Sequence, residues 1–238
     1  SSKKEIFIST YICHPSLANN ELSGPVLTTG LASWISSNKN NFYTYRIIFI
    51  PETIGSIVYL SRNLSSLKKN VIAGYNITCV GDDGDFSYMP SRKGDTPADK
   101  VAQYVLEISG RKFKKYSFLD RGSDERQYCS PGVDLPVCSV MRSKYGTYSE
   151  YHTSLDNLDF ISEKSLQESL DIYKKIIRTL EINHIYHNEI FCEPQLGKRG
   201  LYPNLSKKGN KYKIKPLTNI LAYADGENDL IDLSKILK

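Results

Sequence analysis

The chain has 238 residues, 40% of them hydrophobic and 24% charged. That balance belongs to a globular chain able to bury a substantial core, and it excludes collagen-like, coiled-coil and wholly disordered classes. The longest apolar runs, such as Ile47 to Ile50, are far shorter than the roughly 20 residues of a membrane-spanning helix, and the net charge of +5 reads as a lysine-rich solvated surface.

In chain order, Glu5 to Ile12 reads as a strand and Pro25 to Ser36 as a helix with Pro in its first turn. Phe42 to Ile50 is a second strand. Thr53 to Leu67 has helical spacing at Ile54, Ile57, Val58 and Leu64. Val71 to Val80 is a third strand. Thr96 is an N-cap with Pro97 at the first helical position, and that helix runs to Ile108 and stops at Gly110. Lys112 to Leu119 and Pro136 to Met141 are short strands. The clearest helix is Ser162 to Ile182, with Leu166, Leu170, Tyr173, Ile177 and Leu180 on one face.

Strands alternate with helices through this region, which predicts an α/β domain over residues 1–187 with a mainly parallel sheet covered on both faces. Residues 188–216 lose periodicity and gain Gly, Pro, Lys and Asn, as a linker or docking segment does. Residues 217–238 resume helical patterning, with a turn at Asp225-Gly226. Five cysteines with no paired spacing, and no signal-peptide pattern, place the chain in a reducing cytoplasm. No membrane partner is expected.

Polar clusters follow the strand-like runs, where the crevice of an open α/β sheet binds its ligands. Cys13 to Gly24 offers His14 at a strand end and Asn20 and Glu21 before a helix; by itself His14 reads first as a buried, hydrogen-bonded histidine. Glu52 is either a helix-start carboxylate favoured by the helix dipole or a general base. His152, in the loop Gly146 to Asp156 beside Tyr151, reads first as a surface histidine. Asp82 lies in what reads first as a polar turn. Asp124 and Arg126 are either an internal ion pair or contacts for the charged end of a substrate.

The order of these clusters resembles the aminopeptidase-type zinc exopeptidases. It resembles more narrowly a bacterial aminopeptidase-like family of poorly defined function, with a C-terminal winged helix and an association with surface-polysaccharide genes. The matching segments are Cys13 to Gly24, Pro51 to Ser56, Cys79 to Asp82, Gly122 to Gly132, Glu150 to Ser154 and Glu193 to Tyr202. The resemblance implies a zinc-exopeptidase-like sheet with an incomplete winged-helix-like segment at 217–238. It implies His14 as a ligand of one metal and His152 of the other, and Glu52 where the general base lies. Asn20 stands at the bridging Asp and Thr53 at the second Glu, so one zinc ion is expected rather than two, with Asn20 and Asp82 lining it and Glu21 or Asp82 supplying charge. Asp124, Arg126 and Tyr151 are the expected substrate contacts. With little chain ahead of His14, the sequence reads as a fragment or degenerate copy.

The leading reading is therefore a zinc-dependent aminopeptidase-like hydrolase of an amide bond in a peptide or an amino-acyl or amino-sugar conjugate. The alternative is a catalytically degenerate exopeptidase fold acting as a binding module. Nucleic-acid binding through the basic run Lys198 to Lys215 is the least favoured reading.

Overall fold

The computed structural model describes residues 2–201 and 211–238. Tyr202, Lys207 and Lys208, which the sequence reading drew on, lie outside them. By its internal packing the chain divides into two units, Ser1–Thr179 and Leu180–Lys238.

The first unit is built on β1 (Glu5–Tyr11), which is buried at every position, as a central strand covered on both faces must be. It pairs in parallel with β2 (Thr44–Ile50) on one side and β3 (Val71–Asn76) on the other. β3 pairs in parallel with β6 (Val137–Met141). β6 takes β4 (Phe86–Met89) in antiparallel, and β4 takes β5 (Phe113–Lys115) in parallel. The order is β2-β1-β3-β6-β4-β5, a mainly parallel sheet with two reversed strands at one edge. β4 is too short to show a period, and the sequence reading has no strand there.

Side chains alternate across this sheet. Phe7 joins Leu60 and Leu67 of α2 (Ile54–Asn70) and Tyr128 of the short α4 (Glu125–Tyr128) in one buried cluster with Leu135 and Val137. Tyr75 turns the other way: its hydroxyl donates to the Ala98 carbonyl of α3 (Pro97–Ile108), and its ring meets Tyr173 of α5 (Glu163–Ile182) edge-on. Tyr173 in turn donates to the Val140 carbonyl at 2.7 Å. α1 (Ser23–Ser37) packs Gly30 against Leu170 of α5. Thr96 caps α3 as expected, its hydroxyl accepting from Asp99 N while the Asp99 carboxylate accepts from Thr96 N.

The expected strand from Val71 to Val80 ends early, at Asn76. Cys79 has φ of 50°, and the backbone N–H groups of Val80 and Gly81 bond to side chains of the segment after β1 instead of to a neighbouring strand. Val80 N donates to Ser23 Oγ at 3.0 Å, and Gly81 N donates to Asn19 Oδ1 at 2.9 Å. Gly24 lets this happen: a Cβ there would lie 2.5 Å from the Ile77 carbonyl and 2.6 Å from Thr10 Oγ1.

In the second unit β7 (Ile185–His187) pairs in antiparallel with β8 (Asp225–Asp229). α6 (Lys211–Tyr223) and α7 (Leu230–Ile236) complete it, with Asp229 capping α7. The division thus falls before β7 rather than after His187. Residues 211–216, expected in a linker, belong to α6, and Asp225-Gly226 opens a strand. Among the described residues no helix is long and apolar enough to cross a membrane.

Candidate functional site

Because β1, β2, β3 and β6 are parallel, the loops leaving them emerge at one end of the sheet. His14 follows β1, Glu52 follows β2, Cys79 follows β3 and His152 follows β6. The rings of His14 and His152 lie 4.7 Å apart between centroids.

His14 Nδ1 is 3.1 Å from Glu21 Oε1, and Glu21 Oε2 accepts the backbone N–H of Cys13 at 2.7 Å. Glu21 is 2% exposed and sits in a wide helical turn, Ala18–Leu22, that leads into α1. The buried carboxylate of Asp156 holds that turn, accepting Asn19 N at 2.6 Å and Asn20 N at 3.1 Å. A donor atom each from Cys13, His14 and Glu21 lies within 4.8 Å of the others.

Glu52 is partly buried. Burial, then the negative charge of Asp124, pushes its carboxyl up to about 7, against the opposing hydrogen bond of Ser123. The charges of Glu21 and Glu52 both reach Cys13 and Tyr151, raising those two groups after burial has done so. Tyr151 stacks on His152 at 3.9 Å. His152 itself has φ of 57° and Thr53 has φ of 61°, left-handed conformations that cost non-glycine residues of order 1–3 kcal/mol each.

Three expected site residues are placed differently. Asp124, expected as a substrate contact, is fully buried. Its Oδ1 accepts Thr53 N at 2.7 Å and Ser56 Oγ at 2.9 Å, bracing the strained turn that carries Glu52, and burial pushes its carboxyl up to about 6. Asp82 is 2% exposed, and its carboxylate is taken by Asn19 Nδ2, Gly84 N, and the backbone and hydroxyl of Ser143. It stands behind Asn19 rather than among the converging donors. Asn20 is buried too; its amide nitrogen donates to Glu21, and its Oδ1 accepts from the Cys79 thiol at 3.9 Å. Arg126 is exposed and donates to Thr53 Oγ1 at 3.0 Å.

Sequence reasoning gave no role to Cys13, Asp156 or Glu125. Glu125 is fully buried and accepts Gly122 N and Ser123 N, both at 2.9 Å, and the Tyr145 hydroxyl at 2.5 Å, fixing the loop beneath Glu52. A buried acid can be found from sequence only through its partners, and these are backbone groups and side chains distant in the chain, Tyr145 and Asn76.

Imidazole, thiol and carboxylate are all zinc ligands, so the three residues gathered here, Cys13, His14 and Glu21, are of kinds that hold zinc.

A family described as a domain of unknown function (DUF4910) matches residues 1–183, and a winged helix-turn-helix family matches residues 184–238. A Clostridium acetobutylicum protein named for polysaccharide biosynthesis and an aminopeptidase-like domain is 44% identical over 98% of this chain and 53% of its own length. A crystal structure named as a peptidase from Clostridium acetobutylicum superimposes with a TM-score of 0.86 at 42% identity, over 98% of this chain and 52% of that one. A zinc aminopeptidase from Bacillus subtilis shares the fold, with a TM-score of 0.60 at 16% identity, over 76% of this chain and 47% of that one. The chain spans about half the length of the relatives it matches. Its mainly parallel sheet flanked by helices is the aminopeptidase-like fold, and the chain belongs to the DUF4910 family.

Proposed function

We propose that the α/β unit is a metal-dependent hydrolase of the aminopeptidase type, acting on an amide next to a free amine in a peptide or an amino-acyl or amino-sugar conjugate. The observation that carries this reading is Glu52. A carboxyl poised at about 7, on a loop that leaves the same end of the sheet as the loops of His14 and His152, suits a group that takes and returns a proton near neutrality.

His14 and His152 are the metal ligands. With Nδ1 of His14 held by Glu21, its Nε2 is the free donor. Bound zinc supplies a Lewis acid that polarises a carbonyl oxygen and makes water more acidic. Glu52 accepts the proton of the attacking water and delivers it to the leaving nitrogen. Asp124 keeps the Glu52 turn in place through Thr53 N and Ser56 Oγ. Arg126, exposed and anchored on Thr53, offers its guanidinium to an anionic group of the substrate. Tyr151 shapes the approach over His152. The five cysteines are all free thiols, which supports a reducing, cytoplasmic setting.

One observation favours the second reading, a binding module without turnover. Asn20, at the position where the resemblance places a bridging carboxylate, is a buried neutral amide.

The test is metal content and turnover together. Purified chain, loaded with zinc, cobalt or manganese, is assayed on amino-acid amides and anilides. Metal-dependent hydrolysis that falls about 100-fold or more in Glu52→Gln, with the metal retained, supports the hydrolase. Bound metal without hydrolysis selects the binding module. Full activity in Glu52→Gln removes the assigned base.

A further inference from the structure

We propose that Cys13 is a third metal ligand, so that the cleft is a one-ion, thiolate-bearing centre formed by Cys13, His14 and His152, with Glu21 setting the first two in place. The inference rests on the metal reading above and adds to it a ligand of different chemistry.

Three observations carry it. The Cys13 sulfur lies within 4.8 Å of a donor atom of His14 and one of Glu21, and the His152 ring is 4.7 Å from that of His14. A zinc ion holds sulfur at about 2.3 Å and nitrogen at about 2.0 Å, which puts two such ligands about 3.5 Å apart in a tetrahedron. The donors would have to draw together to reach that value, and Cys13, being exposed, has room to change rotamer.

Glu21 treats the two neighbours as a pair. One carboxylate oxygen fixes the backbone N–H of Cys13, and the other lies on His14 Nδ1. A buried carboxylate that orients a histidine through Nδ1 leaves Nε2 for a metal. Here the same group also pins the residue that carries the sulfur.

Charge supplies the third argument. A dication held by two neutral imidazoles needs anions close by. Asn20 and Thr53 supply none, and Asp82 is enclosed by four donors elsewhere. Glu21 next to the ion and a Cys13 thiolate on it bring two negative charges, which balance one dication. The other cysteine of this region, Cys79, is fully buried and hydrogen-bonded to Thr78 and Tyr148, and is not one of the converging donors. A thiolate also shifts preference toward zinc, cobalt and cadmium and away from magnesium and manganese.

The experiment is cobalt(II) loading of the full chain, read by absorption. A cysteine thiolate on cobalt produces an intense near-ultraviolet charge-transfer band, which imidazole and carboxylate ligands do not. The expected result is about one cobalt per chain with that band, the band lost in Cys13→Ser and kept in Cys79→Ser, and cobalt affinity about tenfold or more weaker in Cys13→Ser. Cobalt bound without the band overturns the inference and leaves the metal reading standing, as does a band that survives Cys13→Ser. No cobalt bound under any condition overturns the metal reading itself, and this inference with it. Alkylation gives a second readout: zinc should protect Cys13 from iodoacetamide while the exposed Cys192 reacts at an unchanged rate. Equal reaction of Cys13 with and without zinc counts against the assignment.

Discussion

Asp156 closes the turn that carries Asn20 and Glu21 from 137 residues away, accepting Asn19 N at 2.6 Å and Asn20 N at 3.1 Å with its two carboxylate oxygens. The loop after β6 therefore locks the loop after β1, and through Glu21 it sets the ring of His14. Removing this anion leaves two buried N–H groups without a charged acceptor. Asp156→Asn is expected to cost about 2–4 kcal/mol of stability. It is also expected to weaken zinc binding by tenfold or more, because His14 loses its fixed orientation. Urea denaturation and a competitive zinc titration measure the two effects. Unchanged zinc affinity in a folded variant would separate Asp156 from the site.

Glu52 makes stability depend on pH in metal-free protein. Its carboxyl is raised from 4.5 to about 7 in the folded chain. Below the lower value both states hold the proton. Between the two, the folded chain keeps a proton that the unfolded chain has released, so stability falls as pH rises through that window. Asp124, raised from 3.8 to about 6, acts with the same sign. Glu52→Gln removes the larger effect, so its stability relative to the parent should grow from pH 4 to pH 8 by up to about 3 kcal/mol. Denaturation midpoints of both proteins across that range decide it. A flat difference shows that Glu52 titrates normally.

Gly24 is a packing requirement as well as a helix residue. An added methyl would press on the Ile77 carbonyl at 2.5 Å and Thr10 Oγ1 at 2.6 Å, both fixed by the hydrogen bond between them. Gly24→Ala should destabilise by about 2–3 kcal/mol, despite the better helix propensity of alanine. A thermal melt equal to that of the parent would show that α1 can move off β3.

Thr96 offers a smaller and more local effect. Thr96→Ala removes the hydroxyl that accepts from Asp99 N, and about 1 kcal/mol is expected from this loss of the α3 cap. Thr96→Ser keeps the oxygen and should recover most of the difference in the same denaturation assay.

The capped helix α3 was legible because its signal is local: Thr96, Pro97 and Asp99 lie within one turn, and the predicted span ends at Ile108 as observed. The alternation of strands and helices was legible for the same reason, since apolar period reports the burial of each segment by its own neighbours. The early end of β3 was not, because Asn19 and Ser23, far back in the chain, capture the backbone of Val80 and Gly81. β8 was read as part of a helical stretch because strand Asp225–Asp229 is polar and exposed, and its partner, Ile185–His187, supplies the missing half of the pattern.

At the cleft the sequence alone determined which chemistry was on offer: His14, Glu52 and His152 each follow a strand, and parallel strands deliver such loops to one end of a sheet. Only the tertiary structure decided the roles. Asp124, Asp82 and Asp156 are the same side chain in three loops, yet each accepts from a different set of donors and braces a different turn, while Glu52 is raised to about 7 by burial and by the charge of Asp124. A carboxylate's role depends on how many donors surround it and how much water remains, and both are set by residues distant in the chain.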